Sequence, residues 1–475
     1  MHARRSKKNG AHYFNFGSGV FDMNSQQKIT LTSGSLSRNI LLFSIPLMLS
    51  NVLQVLFNMS DIAVVGRFAG SHALGSVGST SILVTLFTGF LIGIGSGINV
   101  TVARYLGCKS YKDVSETVHT SALLCLIIGV IALLIGVLGA RPMMQLLGTK
   151  DELIDGAILY LQIYFLGMPA LSVYNFGNAV LSAAGDTRRP LIIMVVAGVV
   201  NVILNLFFVI VCKLSVAGVA IASAVSQYMS AVLIVRLLVK TNDSYALHIN
   251  KLRITREKAR FVLSLSLPAG LQNAIFQIAN LFIQASVNTF PAVVVEGNSA
   301  AANADALVYD VMAAFYTACS SFMSQNFGAG NRKRVINSYY ISLAYSFGIG
   351  ALLGGALLLF GDKFLMIFTT DPDVVEMGMD RLWVMGFSYA FSAFMDCTIS
   401  ASRGIGKSAV PTAIVIMGAC VFRVIWVCTV FAYFHTIMSL YLLYIFSWTI
   451  TAVAEIIYFR YSYRKKMAMF PAEAA

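Results

Sequence analysis

The sequence predicts an all-α polytopic membrane protein whose twelve transmembrane helices form two pseudo-symmetric six-helix bundles. Three observations predict this fold. The 475-residue chain is 57% hydrophobic and only 12% charged, which is about half the charged fraction of an ordinary soluble domain. Apolar segments of span length recur along the chain. Basic residues concentrate in alternate loops, and the second half of the chain repeats motifs of the first.

Segments long enough to cross a bilayer occur twelve times. A hydrocarbon core of about 30 Å needs about 20 apolar residues in a helix. Six segments lie in the first half, at residues 40–66, 79–103, 119–139, 157–182, 190–212 and 215–239. Six lie in the second half, at residues 261–288, 303–325, 338–360, 381–402, 409–433 and 437–460. The region at 291–325, which contains the eighth span, is the least regular, because Glu296, Asp305 and Asp310 interrupt it.

The basic residues indicate which ends of the spans face the cytoplasm. If the N-terminus is inside, the segments on that side hold 27 of the 34 Lys and Arg residues, and the outer segments, with Arg381 among them, hold six. Only Arg423 then lies deep in a span. This asymmetry follows the positive-inside rule and predicts a multi-pass protein of the cell (inner) membrane with both termini cytoplasmic. The formal charge of +13 is spread over many loops, which argues against nucleic acid as a partner.

The two halves of the chain carry the same motifs in the same order. The seventh span repeats one Pro and two Asn of the first span at a constant offset, so that Pro46, Asn51 and Asn58 recur as Pro268, Asn273 and Asn280. Segments 185–190 and 406–411 each run from a Gly to a Pro, and nearly the same offset separates them. Six spans per half give the halves the same orientation, so the axis that relates them lies along the membrane normal.

This repeat predicts the domain boundaries. A polar and disordered leader occupies residues 1–37, an N-terminal six-helix lobe 38–240, a cytoplasmic linker 241–260, a C-terminal six-helix lobe 261–462 and a cytoplasmic tail 463–475. Two such lobes enclose a cavity at their interface, and rocking of one lobe against the other gives alternating access to it.

Polar side chains form one stripe along the first span and another along the seventh. Spacings of three and four residues place the members of each stripe on one helix face. We predict that both stripes line a substrate cavity, with Asn51, Gln54, Asn58, Asn273, Gln277, Asn280 and Gln284 as its amides. The alternative is that these amides bond neighbouring helices and serve packing alone.

Charged residues inside the spans are the second group of candidates. An ionised Asp at mid-membrane costs about 3 kcal/mol, and desolvation favours the neutral acid, so we expect Asp61 to take up and release a proton. The alternative is an interfacial Asp61 that pairs with Arg67. Asp396 and Arg423 lie in the tenth and eleventh spans. We predict that they are partners at the cavity, because a lone Arg in a span needs a counter-charge or water.

The motifs of known catalytic and nucleotide sites are incomplete in this chain. Segment 404–408, GIGKS, resembles the end of a phosphate-binding loop, but Ala401 stands where that motif requires its first Gly. The six histidines form no HExxH pair. We therefore expect a protein that is not an enzyme and has no cofactor and no metal site. Any pumping should draw on an ion gradient.

Four segments together resemble the multidrug and toxic compound extrusion (MATE) family. They are IPLMLSNVLQVLFNMSDIAVVGR at 45–67, AGVAIASAVSQY at 217–228, QNFGAGNRKR at 325–334 and SRGIGKSAVP at 402–411. They fall in both halves, and the pattern is most similar to the bacterial branch of the DNA-damage-inducible type. The resemblance implies a twelve-helix antiporter that exchanges H⁺ or Na⁺ for cationic, amphipathic drugs, toxins and metabolites.

The resemblance also implies an ion-coupling site. The family's network falls on Asp61, Tyr160, Asn201, Asn205 and Ser223. Family members often have Asp at the position of Asn205 and Thr at that of Ser223, so Asp61 would act more nearly alone in this chain. Some members carry a Glu in the seventh helix for sodium coupling, where this chain has Phe276 nearby. We therefore expect H⁺ as the coupling ion, with Na⁺ as the alternative.

The expected function is that of a secondary active antiporter, working as a monomer in the lipid bilayer on small-molecule substrates. The alternative is a lipid-linked sugar flippase of the same superfamily, a class that typically has more spans or an arginine-rich cavity. A channel or a membrane enzyme would need a filter sequence or a catalytic motif, which we do not find.

Overall fold

The computed structural model describes residues 28–468. Residues 1–27 of the predicted leader and 469–475 of the predicted tail lie outside the described residues. The chain folds into long helices, which we number α1 Leu36–Ala69, α2 Ser71–Gly107, α3 Tyr111–Leu146, α4 Asp151–Leu166, α5 Met168–Ala183, α6 Arg188–Val211, α7 Ser215–Lys240, α8 Arg256–Val287, α9 Ala292–Gly328, α10 Arg332–Leu365, α11 Pro372–Gly404, α12 Ala409–Phe434 and α13 Ile437–Met467.

Eleven of these helices in the described chain are by themselves long and apolar enough to cross a membrane. The other two, α4 and α5, pass the same test together and are bent by 44° at the break between them. They correspond to the fourth predicted span, so the described chain has up to twelve spans. The predicted all-α polytopic fold is confirmed.

Helix irregularities recur in both halves. Pro46 lies inside α1, and Pro268 lies inside α8, where the ring removes a backbone hydrogen bond and kinks the helix. Helices α1 and α6 end in π-helical turns, at Val65–Ala69 and Phe207–Val211. Such turns are frequent at functional sites. They begin four residues after Asp61 and two residues after Asn205.

The repeated Gly of the two halves adopts the same backbone conformation. Gly185 follows α5 with φ +85°, and Gly406 follows α11 with φ +82°. This left-handed region is accessible to Gly without the steric cost that a Cβ imposes. The sequence repeat therefore corresponds to a repeated helix ending.

The two halves of the chain pack tightly at one end of the helices. Gly93 and Gly97 of α2 lie against the backbone of α8. A Cβ added at Gly93 would lie 2.6 Å from the Cα of Gly270, and a Cβ added at Gly97 would lie 2.5 Å from the backbone nitrogen of Ser266. Side chains bond across the same seam, with Ser266 Oγ donating to Ile94 O at 2.9 Å and Ser324 Oγ to Val100 O at 2.6 Å. We call this contact of α2 with α8 and α9 the closed end.

Residues 28–35, which precede α1, lie across the closed end and contact both halves. Lys28 forms an ion pair with Asp243, and Ile29 N donates to Gly185 O at 3.1 Å, both in the first half. Arg334 of the second half donates to Gly34 O at 2.9 Å. Partial burial opposes ionisation of Asp243, but the Lys28 ammonium keeps the pKa of this carboxyl below its ordinary value. This part of the predicted leader is ordered, with Leu31 buried.

Arg381, which the charge count assigns to an outer segment, forms an ion pair inside the protein. Arg381 lies within α11, is 6% exposed, and donates to Asp305 Oδ2 through Nε at 2.9 Å and Nη2 at 2.5 Å. Its Nη1 donates to Asn298 Oδ1 at 2.6 Å. This buried pair also explains how α9 continues through an acidic position, because Asp305 is neutralised by α11.

Candidate functional site

Asp61 of α1 lies against two polar side chains of the first half. Asn205 Nδ2, from α6, donates to Asp61 Oδ1, and Ser223 Oγ, from α7, donates to Asp61 Oδ2 at 3.4 Å. Both partners are neutral. Asp61 does not pair with Arg67, which was the alternative. Arg67 is exposed, and Asp61 is bonded to Asn205 and Ser223 instead.

The other predicted members of the ion-coupling site extend this network. Asn201 precedes Asn205 by one helical turn, and Asn205 Nδ2 is 3.3 Å from Asn201 Oδ1. Asn201 Nδ2 in turn lies 3.5 Å from Ser223 Oγ. All three of these partners are buried. Tyr160 lies apart from the hydrogen bonds and packs in the adjoining apolar cluster, its ring 5.8 Å from that of Tyr164.

This arrangement allows Asp61 to exist in two protonation states. Two neutral donors stabilise a carboxylate, but they do not cancel its charge as an Arg or Lys would. Asn205 Oδ1 is buried without a hydrogen-bond partner. Rotation of the Asn205 amide would turn this acceptor toward Asp61, where it can receive the O–H of a protonated acid. The same Asn thus serves either form of Asp61.

Two members of the amide stripes make contacts between the halves. Asn51 Nδ2 of α1 donates to Asp310 O of α9 at 2.8 Å, and Asn273 Nδ2 of α8 donates to Gly89 O of α2 at 3.0 Å. These two Asn occupy equivalent positions in the sequence repeat. Each Asn bonds to the backbone of a helix in the other half, as expected if these amides serve helix packing.

The remaining stripe members differ from one another. Gln54 and Gln277 are half-buried and Asn58 is exposed within its span, which suits a polar, water-accessible cleft better than lipid. Gln284 Nε2 donates to Asn288 Oδ1 on its own helix at 2.9 Å. Asn280 Oδ1 accepts from Arg423 Nη1 at 3.1 Å.

The predicted ion pair of Asp396 with Arg423 is not formed. Arg423 donates to Asn280 and, through Nε, to Ser447 Oγ at 3.2 Å. Its guanidinium also lies 4.7 Å from the ring centres of Phe276 and Tyr444. Asp396 Oδ2 is buried without a hydrogen-bond partner. Helix rotation aims Arg423 at α8 rather than at Asp396 of α11, and this orientation cannot be read from spacing within one helix.

Sequence reasoning missed a further buried acid. Glu455 of α13 is 0% exposed, and neither of its carboxyl oxygens has a hydrogen-bond partner in the described structure. The available signal was an acid within the apolar run TAVAEIIYF at 451–459. Arg403, the residue after the predicted span at 381–402, donates to Gln272 Oε1 of α8 at 2.7 Å.

A family model described as MatE matches residues 46–207 and, a second time, residues 268–429. The chain belongs to the MatE family. The two matches begin at residues 46 and 268, which are the positions of the repeated Pro46 and Pro268. The chain is accordingly a multi-pass membrane transporter of small molecules and not an enzyme.

Relatives of this MatE chain include proteins with different descriptions. The chain is 28% identical over 360 residues to the "Probable multidrug resistance protein YpnP" of Bacillus subtilis, covering 76% of this chain and 80% of that protein. It is 26% identical over 353 residues to a protein of Shewanella oneidensis described as "FAD transporter", covering 73% of this chain and 77% of that protein.

Solved structures match the MatE fold along nearly the whole chain. One of them, described as an outward-facing conformation of a multidrug resistance MATE family transporter, superposes with a TM-score of 0.86 at 21% identity. The match covers 94% of this chain and 100% of the other. At this identity, the likeness shows the fold.

Proposed function

We propose that this MatE protein is a secondary active antiporter that exports small, cationic amphipathic compounds in exchange for H⁺. The observation that carries the proposal is Asp61 within a span, bonded only by the neutral Asn205 and Ser223 in the described structure. A carboxyl so placed is poised between its charged and neutral forms. The multidrug resistance relatives support the class of substrate.

The coupling follows from competition for one negative charge. A ligand shifts a conformational equilibrium only by its differential affinity for the two states. Ionised Asp61 attracts a cationic substrate, and a proton that neutralises Asp61 removes this attraction. Entry of the proton from outside therefore favours release of the substrate there. Asn205 presents its N–H to Asp61 in the described structure, which suits a carboxyl that exchanges H⁺. Na⁺ is the alternative and would require the Asn205 oxygen to turn toward Asp61.

We propose that two lobes, residues 38–240 and 261–462, are joined by the linker 241–260. Rocking of one lobe against the other opens the cavity to one side of the membrane at a time. The closed end carries the basic loops, so the positive-inside rule places it at the cytoplasmic face with both termini. The exposed Asn58 lies toward the other end of α1. The structure is then an outward-open state. Reconstituted protein should accumulate a fluorescent organic cation under an imposed ΔpH and not under ΔNa⁺ alone.

Single-cysteine labelling tests the orientation. The exposed Cys108, Cys212 and Cys428 are first replaced by Ser. Cysteines at the exposed positions Asn250 and Lys333 should then react with a membrane-impermeant maleimide only in inside-out vesicles. Cysteines at the exposed positions Lys150 and Asp371 should react only in intact cells. Reaction at position 250 in intact cells would show that the orientation is inverted.

Replacement of Gln54 or Gln277 by Leu tests the cavity. Both side chains are half-buried, so we expect a folded protein with altered substrate selectivity, with affinity changes of about tenfold, or about 1.4 kcal/mol, per lost polar contact. Affinities for several organic cations should be compared with those of a Gln145→Leu control, which changes an exposed position at the end of α3. Wild-type selectivity in both variants would favour the packing alternative.

Two finer assignments accompany this proposal. The motif SRGIGKSAVP at 402–411 supports the DNA-damage-inducible-like branch of the family. A monomer suffices for transport, because one chain supplies both lobes. The flippase alternative loses support because Arg381 and Arg423 are buried and held by protein groups, so neither presents its charge to a cavity.

A further inference from the structure

The second half of the protein holds four charged side chains inside its helices, away from Asp61, three of them buried and one partly buried. We call Asp396 and Arg403 of α11, Arg423 of α12 and Glu455 of α13 the quartet. Asp396 is 9% exposed, Arg423 1% and Glu455 0%. Arg403 lies within electrostatic range of both acids. With both acids ionised, the two acids and two bases of the quartet would sum to zero charge. The acids and the arginines nevertheless form no ion pair with one another in the described structure.

The two arginines of the quartet bond to neutral amides of α8. Arg403 Nη2 donates to Gln272 Oε1 at 2.7 Å, and Arg423 Nη1 donates to Asn280 Oδ1 at 3.1 Å. Gln272 and Asn280 lie about two helical turns apart on α8. Each arginine keeps a buried nitrogen without a hydrogen-bond partner, Nε in Arg403 and Nη2 in Arg423. Both arginines are therefore hydrogen-bonded to α8, and each still has an N–H group without an acceptor among the described residues.

The two acids of the quartet are left without partners. Asp396 Oδ2 and both carboxyl oxygens of Glu455 are buried and accept no hydrogen bond in the described structure. Among the described residues, the ion pairs with nitrogen and oxygen within 4.0 Å do not include either acid. A buried carboxylate that lacks a partner is so unfavourable that the group takes up a proton instead. Glu455 is the stronger case, because all of its hydrogen-bonding capacity is unused.

Other ionisable groups near the quartet do not change this conclusion. They come from each helix packed around it, namely Tyr309, Asp310 and Tyr316 of α9, Tyr339 of α10, Arg381 and Cys397 of α11, Cys420 of α12 and Tyr444 of α13. The phenols and thiols are neutral at pH 7. Arg381 is held by Asp305, and Asp310 is an acid, so neither supplies a free positive charge to the carboxyls of the quartet.

We propose that Glu455, together with Asp396, is a second proton-binding site, separate from Asp61 and occupied in the conformation described here. Helix α8 also forms the closed end through Ser266 and Gly270. When the lobes separate there, α8 loses its packing against α2, and we expect it to shift within its own lobe and to withdraw Gln272 and Asn280 from the two arginines. Arg403 and Arg423 then turn their free donors to the carboxylates, and the protons leave. Only this release step rests on the proposed alternating access, whereas proton occupancy does not.

Infrared spectroscopy tests proton occupancy directly. The full chain is placed in lipid nanodiscs, and the carbonyl stretch of protonated carboxylic acids is recorded at pH 7. Every sample carries Asp61→Asn, so that Asp61 does not contribute. We expect absorption from buried acids in the Asp61→Asn protein, a loss of the Glu455 part of it when Glu455→Gln is added, with the Asp396 part remaining, and no change when Glu152→Gln, at an exposed position, is added instead. Identical spectra with and without Glu455→Gln would overturn the proposal.

Thermal unfolding is a second test of the proton on Glu455, and it remains decisive if the variant does not fold. Gln is neutral and nearly isosteric with a protonated Glu, so Glu455→Gln should leave the melting temperature unchanged at pH 7. A large fall, or failure to fold, would show that Glu455 is ionised and paired, and would contradict the proposal. Neither measurement needs transport, so a failure of the antiport hypothesis would remain distinguishable from a failure of this one.

Discussion

Replacement of Asp61 by Asn should abolish gradient-driven export while leaving the protein folded in the membrane. The amide keeps the size of the side chain and can still bond to Asn205 and Ser223, but it cannot exchange a proton. If the proton and the substrate are coupled by about 3 kcal/mol, loss of the coupling reduces their mutual effect about 150-fold. Uptake of a fluorescent cation into inside-out vesicles under ΔpH measures the effect.

The role proposed for Asp61 also predicts the direction in which substrate affinity changes with pH. Acidification protonates Asp61 and removes the charge that attracts the substrate, so wild-type affinity should fall as the pH falls. Asp61→Asn should bind with an affinity independent of pH over the same range. Asp155→Asn, at an exposed position, is the matched control and should behave like the wild type. Wild-type export by Asp61→Asn would direct attention to Glu455 and Asp396 instead.

Gly97→Ala should have the second large effect, because it forces the closed end apart. Its Cβ would lie 2.5 Å from the Ser266 nitrogen and 2.6 Å from the Ser266 Cα. These are backbone atoms of α8, so a rotamer change cannot relieve the clash. Overpacking of this kind costs about 1–3 kcal/mol, and here it acts on the conformation in which the closed end is packed. We expect strongly reduced transport and increased cytoplasmic labelling of a cysteine at Ser266.

A matched control lies on the same helix. Gly78 of α2 has no atom within 4 Å of an added Cβ, so Gly78→Ala should transport at the wild-type rate. It should even stabilise α2, since Ala is favoured over Gly in a helix by about 1 kcal/mol. Equal transport by Gly97→Ala and Gly78→Ala would mean that close approach of α2 and α8 is not required for the cycle.

The helices could be predicted from the sequence because a span is a local property of composition and length. The bend between α4 and α5 has a local signal that the span prediction did not use, because Gly167 ends α4 and Pro169 lies in the first turn of α5. Family resemblance named Asp61, Asn201, Asn205 and Ser223, and their side chains lie within one hydrogen-bond network; their role in ion coupling stays a prediction.

The partners of Arg423 could not be predicted, because they depend on the rotation of α12 relative to α8. Glu455 was missed for a related reason. Sequence alone does not show whether an acid near the end of a span reaches the interface or stays buried, and its burial results from the packing of α13 on α11. The contacts of residues 28–35 join segments that are far apart in the chain, such as Gly34 and Arg334, which are 300 residues apart, with no sequence signal for the pairing.

Substrate-driven proton movement tests the central claim most directly. Proteoliposomes that contain a trapped pH indicator, with the membrane potential clamped and no Na⁺ present, receive a gradient of an organic cation. Exchange at Asp61 predicts that the cation moving one way drives protons the other way in the wild type, and that this flux is absent in Asp61→Asn. Cation transport in the wild type without any proton flux would contradict proton antiport.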